Sequence, residues 1–425
     1  MSETEICAPK LRIALISDLY PPRPCGGVAV FIAGLAQELA RRGHEVTVIT
    51  LATGEHTVDF ENNVWVHRIR EDQIRTSRSL ERGEVLNEVP DMPDDLARRA
   101  KAVLSELDRV NLHRKFQFVL GTIWDLDLAE VIASDRYNVG MYLVTSYKLM
   151  EASKPEWKKN QDFYVNHVSK MIKAEMWAVT NCPQIFISTN AILADFEHIY
   201  NIKISPTKVI RIPFGMKDVN CVNLQDCRDE IILLFVGRLE KRKGIEVLLK
   251  ALPNLLQTYK NLKVRIVGKN DILNDKGVTY EDDFKTHHSS EDWFDRVRFL
   301  GEIEDSSLLS EYNECDIFVA PSLYESFGLI YLEAMRAGKP CIGCNVGGIP
   351  EVIDDGVTGI LVEPGSVSSL QNAIAKLVDN EQLRKEMGKL GRTRFEEQFK
   401  VEVFASRIEE AISKNIKKFG GVDVD

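Results

Sequence analysis

Short runs of branched apolar residues alternate with stretches of helical periodicity along most of the chain. The first run, residues 11–17, precedes a loop that contains Gly26 and Gly27, after which apolar positions recur at helical spacing over 28–42 and a second run follows at 45–51. This order of strand, glycine loop, helix and strand predicts a βαβ unit near the start of the chain.

The alternation continues and then restarts in the second half of the chain. The first half has further predicted strands at 64–69, 116–120, 139–144, 184–187 and 208–211, and helices over 91–107, 160–177 and 189–200. The second half has predicted strands at 231–236, 262–267, 297–300 and 317–320, and helices over 244–256, 305–313 and 328–337. Strands that alternate with helices are typical of parallel sheets joined by right-handed crossovers.

The length of the chain predicts more than one domain. Its 425 residues exceed the roughly 250 to 300 at which a single hydrophobic core usually stops growing. We therefore predict the α/β fold class, with two doubly wound Rossmann-like domains facing each other across a cleft. The predicted parts are an N-terminal domain (1–216), a linker (217–230), a second domain (231–400) and a last helix within 401–425 that packs back toward the N-terminal domain. Ligands bind at the carboxyl ends of the strands in such sheets, so we expect the site in the cleft.

Charge and composition disfavour several classes of function. The net charge of −10 disfavours nucleic acid as a partner, since Lys and Arg drive that binding. The apolar runs are too short to cross a bilayer and the N-terminus is acidic, so we expect a soluble, cytoplasmic protein without an integral membrane segment. The 8 cysteines are scattered, which favours reduced thiols. Cys341 and Cys344 have C-x-x-C spacing, but they lie on a predicted buried strand, which disfavours a redox or metal site.

The loop after the strand at 231–236 carries the first candidate ligands. Its sequence, VGRLEKRKG, places Arg238 and Lys243 at the carboxyl edge of a sheet and just before a helix. An arginine can bind a phosphate through two parallel hydrogen bonds, and a lysine acts as a point charge. The pattern indicates an anion site, although a solvated basic loop has the same composition.

A second candidate site follows the strand at 317–320, in APSLYESFGLIYLEAMRAGKP. Glu325 lies in the loop, Ser326 can cap the next helix, and Glu333 lies about one and a half turns inside it. Unpaired amides at a helix N-terminus favour an anion such as a diphosphate. Those amides are expected from four consecutive residues, Phe327, Gly328, Leu329 and Ile330. The two carboxylates can accept hydrogen bonds from sugar hydroxyls, Glu333 from a ribose and Glu325 from a second sugar. The alternative is that both are exposed acids, which the apolar neighbours of Glu333 disfavour.

The first half of the chain offers weaker signals. The pair Gly26 and Gly27 leaves backbone amides free to approach a ligand, but a lone Gly-Gly is not specific. Asp125 and Asp127 form a D-x-D, a spacing that can hold a divalent metal, and the histidines show no metal-ligand spacing. In a chain of two α/β domains we expect no metal at this D-x-D.

Three motifs of the second half resemble those of the retaining glycosyltransferases of the GT-B fold, family 4. They are GRLEKRKG at 237–244, YESFGLIYLEAMRAGKP at 324–340 and GGIPEVIDDGVTGILVEPG at 347–365. The segments GGV, STN at Ser188 and IPFGM at 212–216 extend the resemblance over most of the chain. It implies that the second domain binds a nucleotide diphosphate sugar, with a UDP-sugar favoured. A hexose or N-acetylhexosamine would pass, with retained configuration and without a metal or other cofactor, to a hydroxyl of an acceptor bound by the N-terminal domain.

The resemblance also assigns roles to individual residues. Arg238 and Lys243 would hold the diphosphate and, together with Glu325 at the transferred sugar, form the catalytic set. Glu333 would bind the ribose and Ile303 the base. Backbone groups would cover the phosphates at Gly27, Phe327, Gly328, Leu329 and Ile330.

One segment departs from the family. Many relatives carry a histidine at the end of an N-terminal strand, near the donor sugar, where this chain reads MYLVTSYK with Thr145 and Ser146. A hydroxyl or backbone group must then contact the sugar. We place Gly26, Asp125, Thr145 and Ser146 on the acceptor side.

The identity of the acceptor is open at this point. Acidic residues at 84–95 and 125–130 are typical of a solvated surface, but they would also favour a small, soluble, neutral or cationic acceptor such as a sugar or an aminocyclitol. A lipid-linked acceptor is the alternative, although acids dilute the basic residues of the best membrane-docking candidate, 154–177. A catalytically inactive sugar-binding or regulatory subunit is a further alternative, which the intact charged set disfavours.

Overall fold

The structure is a computed structural model that describes most of the chain. The described residues are 10–22, 27–70, 88–219 and 229–418. Cys25 and Gly26 of the predicted glycine loop, the acidic Glu84, and residues 220–228 of the predicted linker lie outside them.

The chain folds into two compact units. Residues 1–217 and 401–425 form one, called here the N-terminal unit, and residues 218–400 form the other, called the C-terminal unit. Each unit has its own sheet, and the predicted α/β class with two parallel-sheet domains is confirmed.

The N-terminal unit is built on an 8-stranded sheet. Its strands are β1 (Arg12–Ile16), β2 (Glu45–Leu51), β3 (Thr57–Glu61), β4 (Val64–Ile69), β5 (Phe118–Thr122), β6 (Val139–Leu143), β7 (Gln184–Ile187) and β8 (Val209–Arg211). They lie in the order β3-β4-β2-β1-β5-β6-β7-β8, and all neighbours are parallel except β3 and β4. Strands β5, β6 and β7 are buried along their whole length, as expected for apolar runs covered on both faces.

Helices cover this sheet. They are α1 (Gly27–Arg41), α2 (Asp94–Arg114), α3 (Ala129–Ser134), α4 (Tyr147–Glu151), α5 (Pro155–Lys159), α6 (Gln161–Phe163), α7 (Ser169–Asn181) and α8 (Asn190–Tyr200). Sequence signals locate α8 well, since the Thr189 hydroxyl accepts a hydrogen bond from Ile192 N at its start and Asn201 takes a left-handed conformation at its end.

The helix predicted over 160–177 is present as a continuous helical stretch over 161–181. Asn160 is extended, and its side chain accepts a hydrogen bond from Phe163 N at 3.1 Å, which caps the start of this stretch at α6. A π-helical turn, Tyr164–Val168, interrupts the α-helical pattern and leads into α7. Strand β3 was not predicted because it is an edge strand with mostly exposed side chains and therefore lacks an apolar run.

The C-terminal unit is built on a 6-stranded sheet. Its strands are β9 (Ile231–Val236), β10 (Leu262–Val267), β11 (Val297–Gly301), β12 (Ile317–Ala320), β13 (Cys341–Cys344) and β14 (Gly359–Val362). The order is β11-β10-β9-β12-β13-β14, and every pairing is parallel. The direction of winding reverses between β9 and β12, which makes their carboxyl ends the switch point at which ligands bind in such sheets.

The helices of this unit follow its strands in turn. They are α9 (Ile245–Thr258), α10 (Tyr280–His288), α11 (Asp305–Glu314), α12 (Leu329–Arg336), α13 (Ile349–Val352), α14 (Val367–Asp379) and α15 (Glu381–Arg394). Helix α10 was not predicted, because its sequence is highly charged and it buries only Tyr280 and Phe284.

A last helix, α16 (Val401–Lys418), belongs to the N-terminal unit. It packs on α1 and buries Phe404 and Ile408 completely. The backbone amide of Val401 donates to the carbonyl of Met216 at 2.9 Å. Among the helices that the structure describes, none combines the length and apolarity needed to cross a membrane.

Candidate active site

Two loops of the C-terminal unit meet at the switch point, one after β9 and one after β12. Gly244 has φ 72°, and a Cβ added there would lie 1.9 Å from the carbonyl oxygen of Pro321. Close by, the amide of Leu323 donates to the carbonyl of Arg242 at 2.8 Å. Only glycine fits position 244, and the two candidate sites predicted from the sequence are joined through their backbones.

Lys243 and Glu325 form an ion pair across these loops. Lys243 Nζ donates to Glu325 Oε1 at 2.5 Å, the Ser322 hydroxyl donates to the same oxygen at 3.1 Å, and Arg242 lies 3.8 Å from Oε2. Glu325 is only 9% exposed, so the alternative of an exposed loop acid is wrong. Burial alone would raise the pKa of Glu325, but the charges of Lys243 and Arg242 outweigh it and lower the pKa below its ordinary value.

Arg238 differs from Lys243. It follows Gly237 at the end of β9 and is exposed. Its guanidinium forms no ion pair with any residue in the described part of the chain. Of the two predicted cations, Arg238 is the one whose charge is not already matched by a carboxylate.

Helix α12 begins later than predicted. Gly328, not Ser326, is the N-cap, with φ 95°, and the helix starts at Leu329. A Cβ at Gly328 would lie 2.6 Å from the ring of Tyr331, which explains why the chain turns at a glycine rather than at the serine. No described residue accepts a hydrogen bond from the amides of Leu329 and Ile330, which therefore remain available at the helix N-terminus.

Glu333 lies one turn inside α12 and is half-buried. The hydroxyl of Tyr312, a completely buried residue of α11, donates to Glu333 Oε2 at 2.6 Å. Burial raises the pKa of Glu333. Within the described ranges, Oε1 accepts no hydrogen bond. Tyr312 thus fixes the carboxylate and leaves one oxygen for a ligand.

Two other predicted donor contacts have different surroundings. Ile303 is half-buried and lies just beyond β11, where the carbonyl of Gly301 accepts from Gly268 N at 2.8 Å. The side chain of Phe327 is 3% exposed and packs against Phe399, with ring centroids 6.0 Å apart. Phe327 therefore anchors the loop in the core, and only its backbone could contact a ligand.

Three residues that hold the site were not predicted as site residues. Arg242 and Ser322 bind Glu325, and Tyr312 binds Glu333. Arg242 lies in the basic loop and Ser322 lies three positions before Glu325, so their positions in the sequence could have indicated both. Tyr312 lies 21 residues from Glu333 on a different helix, and no sequence pattern connects them.

The acidic D-x-D of the N-terminal unit binds a guanidinium. Arg99 Nε donates to Asp127 Oδ1 at 2.5 Å, and Arg99 Nη2 lies 3.2 Å from Asp125 Oδ2. Asp18, at the end of β1, lies near this group, and burial together with the charge of Asp125 raises its pKa. Across the described ranges, no three His, Cys, Asp or Glu side chains are grouped closely enough to hold a metal ion.

Ser146 is not placed to contact a ligand. It is completely buried, and its hydroxyl accepts from Leu149 N at 3.3 Å, capping α4, and lies 3.2 Å from the Tyr200 hydroxyl oxygen. Thr145, one residue earlier, is half-buried. Gly27 is exposed at the first residue of α1, and the other predicted glycine, Gly26, lies outside the described residues.

The C-x-x-C pair is structural. Cys341 and Cys344 are buried, free thiols on β13. Burial raises the pKa of Cys344 to about 11, which makes a reactive thiolate unfavourable.

Comparison with known proteins gives two family matches and many relatives. The family described as Glycosyl transferases group 1 matches residues 224–394, and Glycosyltransferase Family 4 matches residues 25–121. An uncharacterized glycosyltransferase of Methanocaldococcus jannaschii is 29% identical over 87% of this chain and 90% of its own. The D-inositol 3-phosphate glycosyltransferase of Corynebacterium glutamicum is 27% identical over 89% and 91%. The N-acetyl-alpha-D-glucosaminyl L-malate synthase of Bacillus anthracis is 27% identical over 94% and 96%.

Solved structures share the fold. Sucrose-phosphate synthase from Thermosynechococcus elongatus superposes with a TM-score of 0.72 at 21% identity, covering 96% of this chain and 100% of that one. The Anabaena protein HepE, in complex with UDP and glucose, superposes with a TM-score of 0.65 at 19% identity, covering 95% and 99%.

Proposed function

Because the chain belongs to the GT-B glycosyltransferases of family 4, we propose that it moves a hexose or N-acetylhexosamine from a nucleotide diphosphate sugar to a hydroxyl of a small, soluble acceptor, with retained configuration. The observation that carries the proposal is the part-buried Lys243–Glu325 ion pair at the switch point of the C-terminal sheet. A fixed cation next to a fixed carboxylate suits a ligand that has both a phosphate and a sugar.

A UDP-sugar is the proposed donor. HepE, which shares this fold, holds UDP and glucose, and the B. anthracis relative is named for an N-acetylglucosaminyl group. In this chain Arg238 and Lys243 would hold the diphosphate, with the amides of Leu329 and Ile330 against the same oxygens. Glu333 would accept from the ribose through its free Oε1, and Ile303 would lie against the base. The charges and free groups described above support the roles proposed for Arg238, Lys243, Glu333 and the two amides, whereas the role of Ile303 rests on the family resemblance.

The proposed chemistry needs charge stabilisation more than proton transfer to the protein. The bond between the anomeric carbon and the diphosphate oxygen breaks, and its electron pair leaves with the diphosphate. The acceptor oxygen bonds to the same face of that carbon, and its proton passes to the departing phosphate oxygen. Arg238, Lys243 and the helix amides would stabilise the developing charge, which is why we propose a reaction without a metal.

Glu325 would orient the transferred sugar. Its carboxylate is ionised, because the lowered pKa keeps it charged at neutral pH, and it is fixed by Ser322 and two cations. A fixed carboxylate can accept hydrogen bonds from sugar hydroxyls and favours positive charge at the anomeric carbon as the leaving group departs.

The N-terminal unit is the proposed acceptor domain. Gly27, Asp125 and Thr145 remain its proposed ligand contacts, whereas the buried hydroxyl of Ser146 caps α4 and is not proposed to contact a ligand. We also propose that the protein acts in the cytoplasm, where buried free thiols such as Cys182 and Cys315 stay reduced.

A thermal-shift panel of nucleotide sugars tests donor binding. A ligand at 100 times its dissociation constant adds about 2.7 kcal/mol of stability, so the cognate donor should raise the melting temperature while sugars without a nucleotide should not. The panel is repeated with Lys243→Ala, and Lys241→Ala serves as its control. Lys241 lies in the same loop but pairs with Asp275 instead of Glu325. Equal shifts in both variants would remove Lys243 from the donor site.

Transfer itself is tested with the donor that binds. Nucleotide release that depends on an added acceptor, and a product with the anomeric configuration of the donor, are the expected results. Tight donor binding without release for any acceptor would indicate a sugar-binding subunit instead. An inverted anomeric proton coupling would refute the retaining mechanism.

A further inference from the structure

Five aromatic rings gather beyond the carboxyl ends of β5 and β6 in the N-terminal unit. Together they are called the aromatic group: Trp124, Tyr147, Trp157, Phe163 and His167. The rings of Trp124 and Tyr147 are stacked at 5.5 Å, and those of Phe163 and His167 at 5.0 Å. Tyr147 also contacts His167 at 5.5 Å and Trp157 at 5.6 Å. Every ring keeps part of its surface exposed, and Phe163 is 36% exposed. A contiguous set of exposed rings at this edge of a sheet is typical of a binding surface.

A buried polar network holds the central ring in place. Glu175 accepts from the backbone amide of Tyr147 at 2.7 Å and from the hydroxyl of Tyr200 at 2.5 Å, and the Tyr200 oxygen lies 3.2 Å from the Ser146 hydroxyl, which can donate to it. Glu175 and Ser146 are both completely buried. Burying a carboxylate is costly, yet here it fixes the first residue of a five-residue helix, α4. Tyr147 is therefore held in position by the folded protein itself.

Unusual backbone geometry supports the other members of the group. Asp125 and Leu126 have positive φ values of 54° and 59°, which are rare for residues other than glycine, and they directly follow Trp124. The π-helical turn at Tyr164–Val168 carries His167, whose Nε2 lies 3.1 Å from the Tyr147 hydroxyl. Strained residues and π turns both concentrate at functional sites.

Acidic side chains outnumber basic ones beside the aromatic group. Three acids, Asp18, Asp125 and Asp127, lie near one guanidinium, that of Arg99, and burial raises the pKa of Asp127 to about 7. The Tyr147 hydroxyl points to Asp125 Oδ1 at 3.5 Å, which joins the acids to the rings.

The lysines of the adjoining helices offset this charge only in part. Lys148 on α4 and Lys158 on α5 share one carboxylate, that of Glu151, which leaves the acids in excess by one among these side chains. Among the described residues, this edge of the sheet therefore favours positive or neutral ligands over anions.

We propose that the aromatic group and Asp125 bind the acceptor and select a polyhydroxylated ring that is uncharged or carries an amine. This inference rests on the proposed function. The apolar C–H face of such a ring packs on the aromatic side chains, its hydroxyls donate to Asp125, and an ammonium group is attracted by both the carboxylates and the ring faces. A phosphate or carboxylate on the acceptor would be repelled. By their names, the C. glutamicum and B. anthracis relatives act on D-inositol 3-phosphate and L-malate, both anionic, so acceptor charge would separate this chain from them.

The first test compares three matched acceptors at saturating donor: an uncharged cyclitol, its monoamine and its monophosphate. Nucleotide release is measured for each at low and at moderate ionic strength. We expect nucleotide release to be fastest with the amine, slower with the uncharged ring and slowest with the phosphate. The ratio of the rates with amine and phosphate should fall as the ionic strength rises. A monophosphate that is the best acceptor would overturn the inference.

The second test uses Trp157→Ala with Trp177→Ala as its matched control. Trp157 belongs to the aromatic group, whereas Trp177 is a similarly half-buried tryptophan on α7 outside it. We expect Trp157→Ala to raise the acceptor KM about tenfold and to leave the donor KM unchanged, as loss of one aromatic contact predicts. An unchanged acceptor KM would overturn the inference.

A third variant, Asp125→Asn, probes the charge directly. It removes one negative charge while keeping the size of the side chain, and the preference for amine over phosphate should shrink. Binding of UDP, GDP and ADP by calorimetry separates the two levels of the proposal. If the wild-type protein binds a nucleotide but does not prefer amine over phosphate acceptors, only the inferred acceptor site is refuted. If the wild-type protein binds none of the three nucleotides, the proposed function is refuted.

Discussion

The two units carry their candidate ligand-binding residues at the same place in the sheet but build them by different means. In the C-terminal unit, the loops after β9 and β12 pack backbone to backbone, and their cations and carboxylates nearly neutralise each other. In the N-terminal unit, the corresponding edge combines stacked rings with an excess of carboxylates. The first arrangement suits a ligand whose charge is invariant, such as a diphosphate. The second suits a ligand recognised by its shape and its lack of negative charge.

The largest expected effect comes from removing the central cation of the C-terminal site. Lys243→Ala should lower kcat by about a hundredfold or more, since one preorganised charge at a leaving group is worth that much. Lys241→Ala, in the same turn, should stay close to wild type. Circular dichroism checks that both variants are folded. A Lys243→Ala enzyme with wild-type turnover would show that the charge of Lys243 does not act on the leaving group.

The next largest effect is expected from removing the carboxylate of Glu333 in the C-terminal unit. Glu333→Ala removes one charged hydrogen bond to the donor and should weaken donor binding by about 1.5 to 3 kcal/mol, with little change in acceptor KM. Calorimetry with the donor nucleotide measures this directly. Tyr312→Phe, which removes the hydroxyl that fixes Glu333, should weaken binding less. Unchanged affinity in Glu333→Ala would make Glu333 a structural acid.

The buried Glu175 gives a pH-dependent test of the N-terminal unit. Burial raises the pKa of Glu175 to about 7, above its ordinary value of 4.5. The folded state therefore holds this proton more tightly than the unfolded state, and the stability it contributes below pH 4.5 is lost as the pH rises through about 7. Glu175→Gln has no such titration.

Urea unfolding at pH 5 and pH 8 measures the effect. From pH 5 to pH 8, the unfolding free energy of the wild type should fall relative to that of Glu175→Gln, by at most about 3 kcal/mol. Any constant cost of the amide cancels in this difference. A difference that does not change with pH would show that Glu175 is ionised at both pH values.

The smallest expected effect is that of a chelator. Because cations and helix amides already stabilise the leaving group in the proposed mechanism, excess EDTA should not change the rate. Loss of activity that added magnesium restores would contradict this expectation. It would make Asp125 and Asp127, whose spacing can hold a divalent metal, the first candidates for metal ligands.

The same contrast explains which features the sequence predicted. Strands such as β9 and β12 are continuous apolar runs, and Arg238, Lys243, Glu325 and Glu333 lie in short motifs directly after such strands. Their placement follows from local order along the chain, so local reasoning located them. It erred at the start of α12, where the ring of Tyr331 makes Gly328 and not Ser326 the cap.

Features that depend on distant residues were out of reach. Arg99 occupies the D-x-D from 26 and 28 residues away, and Tyr312 fixes Glu333 from another helix. The aromatic group was not predicted for the same reason, because its five members come from five separate elements and only the fold brings them together.

The position of α16 has a consequence for the order in which the protein is made. The C-terminal unit is a continuous stretch of chain, residues 218–400, inserted into the N-terminal unit, whose last helix is translated after it. Phe404, Ile408 and Ile412 of α16 complete the core beside α1, so that core stays open while the inserted stretch leaves the ribosome. The C-terminal unit can therefore finish folding first, whereas the core of the N-terminal unit stays incomplete until α16 has been translated.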